Sequence, residues 1–225
     1  YKLIRKNVKN INLRVKPSLE VVVSANKNVS KKYIHKFIKS KASWIYKHLE
    51  KFKKVKSSYT KKEFVNGEYL NYLGKKYKLI VKRDNKNKMK YYRGKLYIYT
   101  ENIRDYELKK NIYNKWLKER ANIIFKEILD KMYEKIKSFD VNYPKMTIRK
   151  MKTRWGSCNS AKSKININLN LIKADKMAIE YIMLHELVHL IHSNHSKDFY
   201  NLLGFLMPDY KKRESLLNQK IINKF

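Results

Sequence analysis

The sequence predicts an α+β protein: a basic, β-rich region with one helix over residues 1–100, then a mostly helical region with a small sheet over residues 101–225. Three observations lead there. Short Tyr-, Val- and Ile-containing runs separated by Asn66-Gly67, Gly74, Asp84-Asn85 and Gly94 crowd the first region, and such runs between turn residues read as strands. In the second region, apolar side chains recur at helical spacing from Tyr106 to Ile136. Charge divides the chain as well, since residues 1–100 hold 29 basic and 5 acidic side chains against 25 and 14 in the remainder.

The elements follow in order. INLRV and LEVVVS flank Lys16-Pro17-Ser18, which reads as a hairpin between Ile11 and Ser24. Ser30 is an N-cap for a helix through Phe52, with Tyr33, Ile34, Phe37, Ile38, Trp44, Ile45 and Leu49 on its apolar side. A polar loop is expected from Lys53 to Lys62. Strands then follow at Phe64-Val65, Tyr69–Leu73, Lys76–Val81, Met89–Tyr92 and Leu96–Thr100, with hairpin turns at Asn66-Gly67 and Arg93-Gly94. Tyr72, Tyr77, Tyr91, Tyr92, Tyr97 and Tyr99 lie among lysines, a pattern that suits half-buried strand positions and also a platform for stacking bases.

Asp105 caps a long helix to about Phe139, and Tyr143-Pro144 ends that pattern. Met146–Lys150 and Lys164–Leu169 read as strands around a loop, Thr153-Arg154-Trp155-Gly156-Ser157-Cys158. An apolar helix begins near Ala178, another runs from Ser196 to Met207, and Asp209 caps a closing helix through Ile222.

Lys and Arg number 54 against 19 Asp and Glu, a net charge of +35. Such a field favours polyanions, so DNA or another polyanion is an expected partner of the basic amino-terminal region. A Lys-, Asn- and Ile-rich composition also reflects AT-rich codons, but glutamate codons are AT-rich too and acids are scarce. One cysteine, Cys158, rules out an intrachain disulfide and favours a reducing, cytoplasmic setting. No apolar run long enough for a membrane span and no signal-peptide pattern is present. The chain opens at Tyr1 rather than Met, so its true start is expected to lie upstream.

The stretch AIEYIMLHELVHLIHSNHSKDFY, from Ala178 to Tyr200, carries the chemistry. On a helix His185 and His189 sit one turn apart on one face, and Glu186 leaves it about 100° round from His185. Two imidazoles there can grip a metal while the carboxylate stands beside it as general base. His195 is the natural third ligand, because Ser193-Asn194 supplies turn residues that let the chain fold back. A catalytic zinc needs three protein ligands and one open position. His192 also falls on the ligand face and is the alternative third ligand, but a straight helix sets it about 10 Å along the axis from His185. Without partners, two histidines and a glutamate in so apolar a helix would be costly to bury.

Arg154-Trp155-Gly156-Ser157-Cys158, the run Ile165–Leu171 and HELVHLIHSNHSKDF from His185 to Phe199 resemble the YgjP-like metallopeptidases, relatives of the SprT-type zinc peptidases. INLRVKPSLEVVVSA, KASWIYKHLEK and YLGKKYKL extend the resemblance over most of the chain. It implies a zincin-like catalytic region, one zinc ion held by His185, His189 and His195, Glu186 as catalytic acid/base, and a protein or peptide substrate. Metzincins share the ten-residue spacing from first to third histidine, but His192 stands where they have glycine. The PCxxC ligands that a zinc deaminase requires are absent, which argues against that reading.

Arg154 is a candidate for holding a substrate carboxylate or an oxyanion, and equally for a structural ion pair. Asn166 and Asn168 lie on a strand that could pair with extended substrate, and join it as candidate substrate contacts. Cys158 reads as a small buried hydrophobe in preference to a ligand or redox switch. The sequence therefore points to a zinc metalloendopeptidase, with proteins associated with nucleic acid as an expected substrate class. The alternative is a nucleic-acid-binding module whose metal is structural or whose peptidase site is vestigial.

Overall fold

The computed structural model describes residues 1–16, 18–58, 62–151 and 154–221. The chain divides into two compact units, Tyr1–Lys61 with Lys220–Phe225, and Lys62–Gln219. In the smaller unit, strands β1 (Lys2–Arg5), β2 (Asn12–Val15) and β3 (Val21–Ala25) form a sheet in the order β1-β3-β2. The expected hairpin is the antiparallel β2–β3 pair, whose Pro17 lies outside the described residues, and β1 adds to β3 in parallel. Ser30 caps α1 (Lys31–Ser40), its hydroxyl accepting from the Tyr33 amide.

One helix was expected through Phe52, but Lys41 interrupts it, and α2 spans Ala42–Ser58 where a loop was expected from Lys53. Tyr33 and Trp44, assigned to the apolar side, are exposed, because a three-stranded sheet covers only a narrow stripe centred on the fully buried Ile34.

The larger unit opens with a four-stranded sheet, β4 (Tyr69–Tyr72), β5 (Lys75–Arg83), β6 (Lys88–Tyr92) and β7 (Lys95–Thr100), in the order β4-β5-β7-β6. Arg93-Gly94 makes the β6–β7 turn with both φ values positive, as a two-residue hairpin of this hand requires. The β4–β5 hairpin turns the same way on Leu73-Gly74. Asn66-Gly67 makes no hairpin. Phe64 has a φ of 55°, no strand forms at Phe64-Val65, and the Asn66 side chain accepts instead from the Val81 amide, 2.6 Å away.

Helix α3 (Tyr106–Tyr133) is capped by Asp105, and its buried residues point in so many directions that it is not amphipathic. That is expected of a helix covered on more than one side. It packs against β6 and β7 and also against α4. The expected boundary near residue 100 therefore falls inside the larger unit, where Leu79, Leu96 and Ile98 share one core with Leu117, Phe125 and Met183. The helix stops at Tyr133, short of Phe139, and a 3-10 turn at Lys137–Phe139 leads to Asp140 in the left-handed region.

A second sheet holds β8 (Lys145–Arg149), β9 (Gly156–Asn159) and β10 (Lys164–Asn168) in the order β8-β10-β9. The expected loop around Gly156 is thus partly strand. Helix α4 (Lys176–Val188) is capped by Asp175 and, apart from the half-buried His185, is buried from Ala178 onward. Helix α5 (Lys197–Leu206) is capped by Ser196, and α6 spans Tyr210–Ile221, with Ile222 outside the described residues. Glu180 of α4 accepts from Lys131 of α3 and Arg213 of α6, tying the three helices together. No helix among the described residues is long and apolar enough to cross a membrane.

Candidate metal centre

Helix α4 delivers its chemistry at its last turn. His185 and Glu186 lie within it, and His189 is its C-cap, still in right-handed helical conformation. The chain then turns and brings His195 back, with no residue of the turn in the left-handed region. Nitrogens of His185, His189 and His195 all lie within 4.8 Å of one another. The Nε2 atoms of His185 and His195 are 3.0 Å apart. The Nδ1 of His189 meets the backbone carbonyl of His192 at 3.0 Å, which leaves its Nε2 for a ligand. His192 therefore contributes through its backbone, held by a bond from its amide to the Val188 carbonyl.

Phe199 underlies all three imidazoles, its fully buried ring 4.6–4.9 Å from each by centroids. The Ser196 cap on α5 sets it there. In sequence Phe199 stands four residues after His195, at the end of the run HSKDF, one helical turn along.

The electrostatics favour neutral imidazoles. Burial, then the neighbouring His189 and His195, lowers the pKa of His185 to about 3. Burial also lowers that of His189. Three crowded ring nitrogens, two of them on imidazoles that burial keeps neutral, make a donor set that suits a zinc-like cation. The Nδ1 of His185 is buried with no hydrogen-bond partner among the described residues, so Nε2 is left as its polar contact.

Glu186 is 5% exposed, and burial raises its pKa to about 7 against the opposing pull of Arg154. Gly156 of β9 presses on it. A Cβ built at Gly156 would lie 2.3 Å from Glu186 Oε1 and 2.6 Å from both Cδ and Cγ. Only glycine leaves room for that carboxylate, a constraint that the sequence hid in a loop of many functional groups.

A cleft of ≈ 600 Å³ opens over these groups, lined by His185, Glu186, His189, His195 and Arg154 and by Gly156–Ala161. Thr153 lies outside the described residues. Neither Asn166 nor Asn168 lines the cleft. Asn166 donates to Ser157 Oγ at 3.1 Å, fastening β10 to β9. Asn168 is fully buried and donates to the carbonyls of Met151 and Arg154, so it holds the loop that carries Arg154. The expectation that the Lys164–Leu169 strand pairs with substrate is corrected too, because β10 is central and β8 and β9 occupy both its edges. Cys158 lines the cleft, but burial, then Glu186, pushes its thiol up to about 11, so it stays protonated.

A family model described as the YgjP-like metallopeptidase domain matches residues 9–220. The chain belongs to the YgjP-like metallopeptidase family. Among solved structures it is similar to the metallopeptidase zymogen jannalysin of Methanocaldococcus jannaschii, at 24% identity over 43% of this chain and 88% of that one, with a TM-score of 0.37. The zymogen abylysin of Pyrococcus abyssi matches at 21% identity over 43% and 93%, with a TM-score of 0.39. No curated protein matches the chain.

Proposed function

We propose that this YgjP-like domain is a zinc endopeptidase of the cytoplasm, with His185, His189 and His195 as the zinc ligands and Glu186 as general acid/base. The observation that carries the reading is the meeting of three imidazoles with a buried carboxylate in an open cleft. Zinc, when bound, supplies Lewis acidity that polarises a carbonyl and makes water acidic enough to attack near neutral pH. Glu186 accepts the proton of the attacking water and passes it to the leaving amine. Its burial raises its affinity for that proton, and the cation would pull the value back down.

The β9 edge supplies orientation. Among the described residues β9 pairs only with β10, and its Gly156–Asn159 backbone lines the cleft. An extended peptide can add to that edge in register, which suits cleavage within a chain and not only at its end. Arg154 stands at the same cleft, placed to meet a substrate carboxylate or carbonyl oxygen.

The test pairs metal content with cleavage of a disordered protein. Glu186→Gln should keep about one zinc per chain and lose cleavage. Cleavage by the variant at the wild-type rate, or its loss of metal, would overturn the assignment. A second reading adds a polyanion partner through the basic amino-terminal region, on the strength of 29 basic against 5 acidic residues over residues 1–100. Substrates bound to nucleic acid would then be delivered to the cleft.

A further inference from the structure

Strand alternation sorts the side chains of the four-stranded sheet. Leu70, Leu79, Leu96 and Ile98 point into the core. The register then puts their neighbours on the opposite face: Lys90 beside Tyr97, Tyr99 between Lys82 and Lys88, Tyr92 beside Lys95. Tyr97 and Tyr99 lie with rings stacked, 6.2 Å apart and 22° from parallel. Lys82 and Lys88 lie over these two rings and Arg93 lies over Tyr92. Tyr72, Tyr77 and Tyr91 cluster instead on the inner side toward Trp116.

The charge on the outer face is one-sided. The four strands hold eight Lys or Arg and seven Tyr with no Asp or Glu. Among the described residues, Lys88 alone of these cations has an acidic partner, Asp84. Lys78 and Lys95 stand directly opposite each other on β5 and β7. Their like charges repel across this parallel pair. The face therefore presents uncompensated positive charge that a ligand bringing negative charge would neutralise.

We infer that the outer face of the β4-β5-β7-β6 sheet binds single-stranded nucleic acid, its phosphates running along Lys78, Lys82 and Lys95 and drawing Lys82, Lys88 and Arg93 off the rings of Tyr97, Tyr99 and Tyr92, on which bases then stack. Flat rings at strand spacing suit unpaired bases, whereas in a duplex the base faces are hidden by stacking. This deepens the polyanion reading and rests on it; it does not depend on the peptidase reading.

The test is fluorescence anisotropy of the full chain with a labelled oligothymidylate of about 16 nucleotides, the upper end of the usual site size. Tyr97→Ala and Tyr99→Ala should each weaken binding by about fivefold to a hundredfold. Tyr97→Phe keeps the ring and should bind as wild type does, which separates stacking from damage to the fold. Lys82→Gln should reduce the slope of log affinity against log salt by about 0.7. Duplex DNA of equal length should bind more weakly.

If wild type binds and both Tyr→Ala variants bind equally well, the sheet assignment falls while the polyanion reading stands. The same follows if Lys31→Gln with Lys32→Gln on α1 abolishes binding and the sheet variants do not. If wild type binds no nucleic acid, both fall, and peptide cleavage is untouched by either result.

Discussion

Gly156→Ala is the sharpest probe of the site, because it adds one methyl group where a carboxylate already stands. The new Cβ would lie 2.3 Å from Glu186 Oε1 and 2.6 Å from Cγ and Cδ, whereas unstrained contacts between carbon atoms lie at about 3.5–4.0 Å. The Glu186 side chain must therefore move by about 1 Å, and its near-complete burial limits where it can go. A displacement of that size at a reacting group costs on the order of 10²-fold in rate, or about 2.7 kcal/mol of barrier. Stability moves less. Gly156 is not in the left-handed region, so alanine restrains the unfolded chain by about 0.4–1 kcal/mol, set against about 1–3 kcal/mol of overpacking. Three readouts decide it: kcat/KM on a disordered protein, zinc per chain, and the melting temperature. We expect cleavage reduced about a hundredfold with the metal retained. Wild-type cleavage in a folded, zinc-loaded variant would refute the placement of Glu186 as the proton carrier.

Two further outcomes follow from the geometry. His195→Ala should lose tight zinc binding, while His192→Ala should keep it, since His192 serves through its backbone carbonyl; equilibrium competition with a metal chelator measures both. Burial alone would raise the Glu180 carboxyl, but hydrogen bonds from Lys131 and Arg213 outweigh it and hold the carboxyl below 4.5. Its contribution is therefore present above pH 4.5 and is lost as pH falls through the lowered pKa. Glu180→Gln should cost about 1.5 kcal/mol near neutral pH, the lower end for hydrogen bonds to a charged group, because the Lys131 partner is largely exposed, and flatten the acid limb of a urea-stability profile. An unchanged acid limb would remove Glu180 from the account.

The helices of the larger unit were legible because their signals are local. Asp105 accepts a backbone amide as its position predicts. The histidines were legible for the same reason, since helical spacing alone places His185 beneath His189. What escaped depends on partners distant in sequence. Gly156 is defined by a carboxylate thirty residues on, and Asn168 by carbonyls in the preceding loop. Strand order escaped too: that β10 is central depends on β8 joining it in parallel, a pairing no run of residues announces. Tyr72 and Tyr97 look alike in sequence, and only register sends one inward and the other out.

X-ray absorption of the zinc-loaded chain tests the central claim most directly. Three imidazole nitrogens at about 2.0–2.1 Å and one further oxygen are expected, as in a catalytic site with one position open to solvent. A sulfur at about 2.3 Å from Cys158, or a fourth protein nitrogen, would close that position and contradict the peptidase reading.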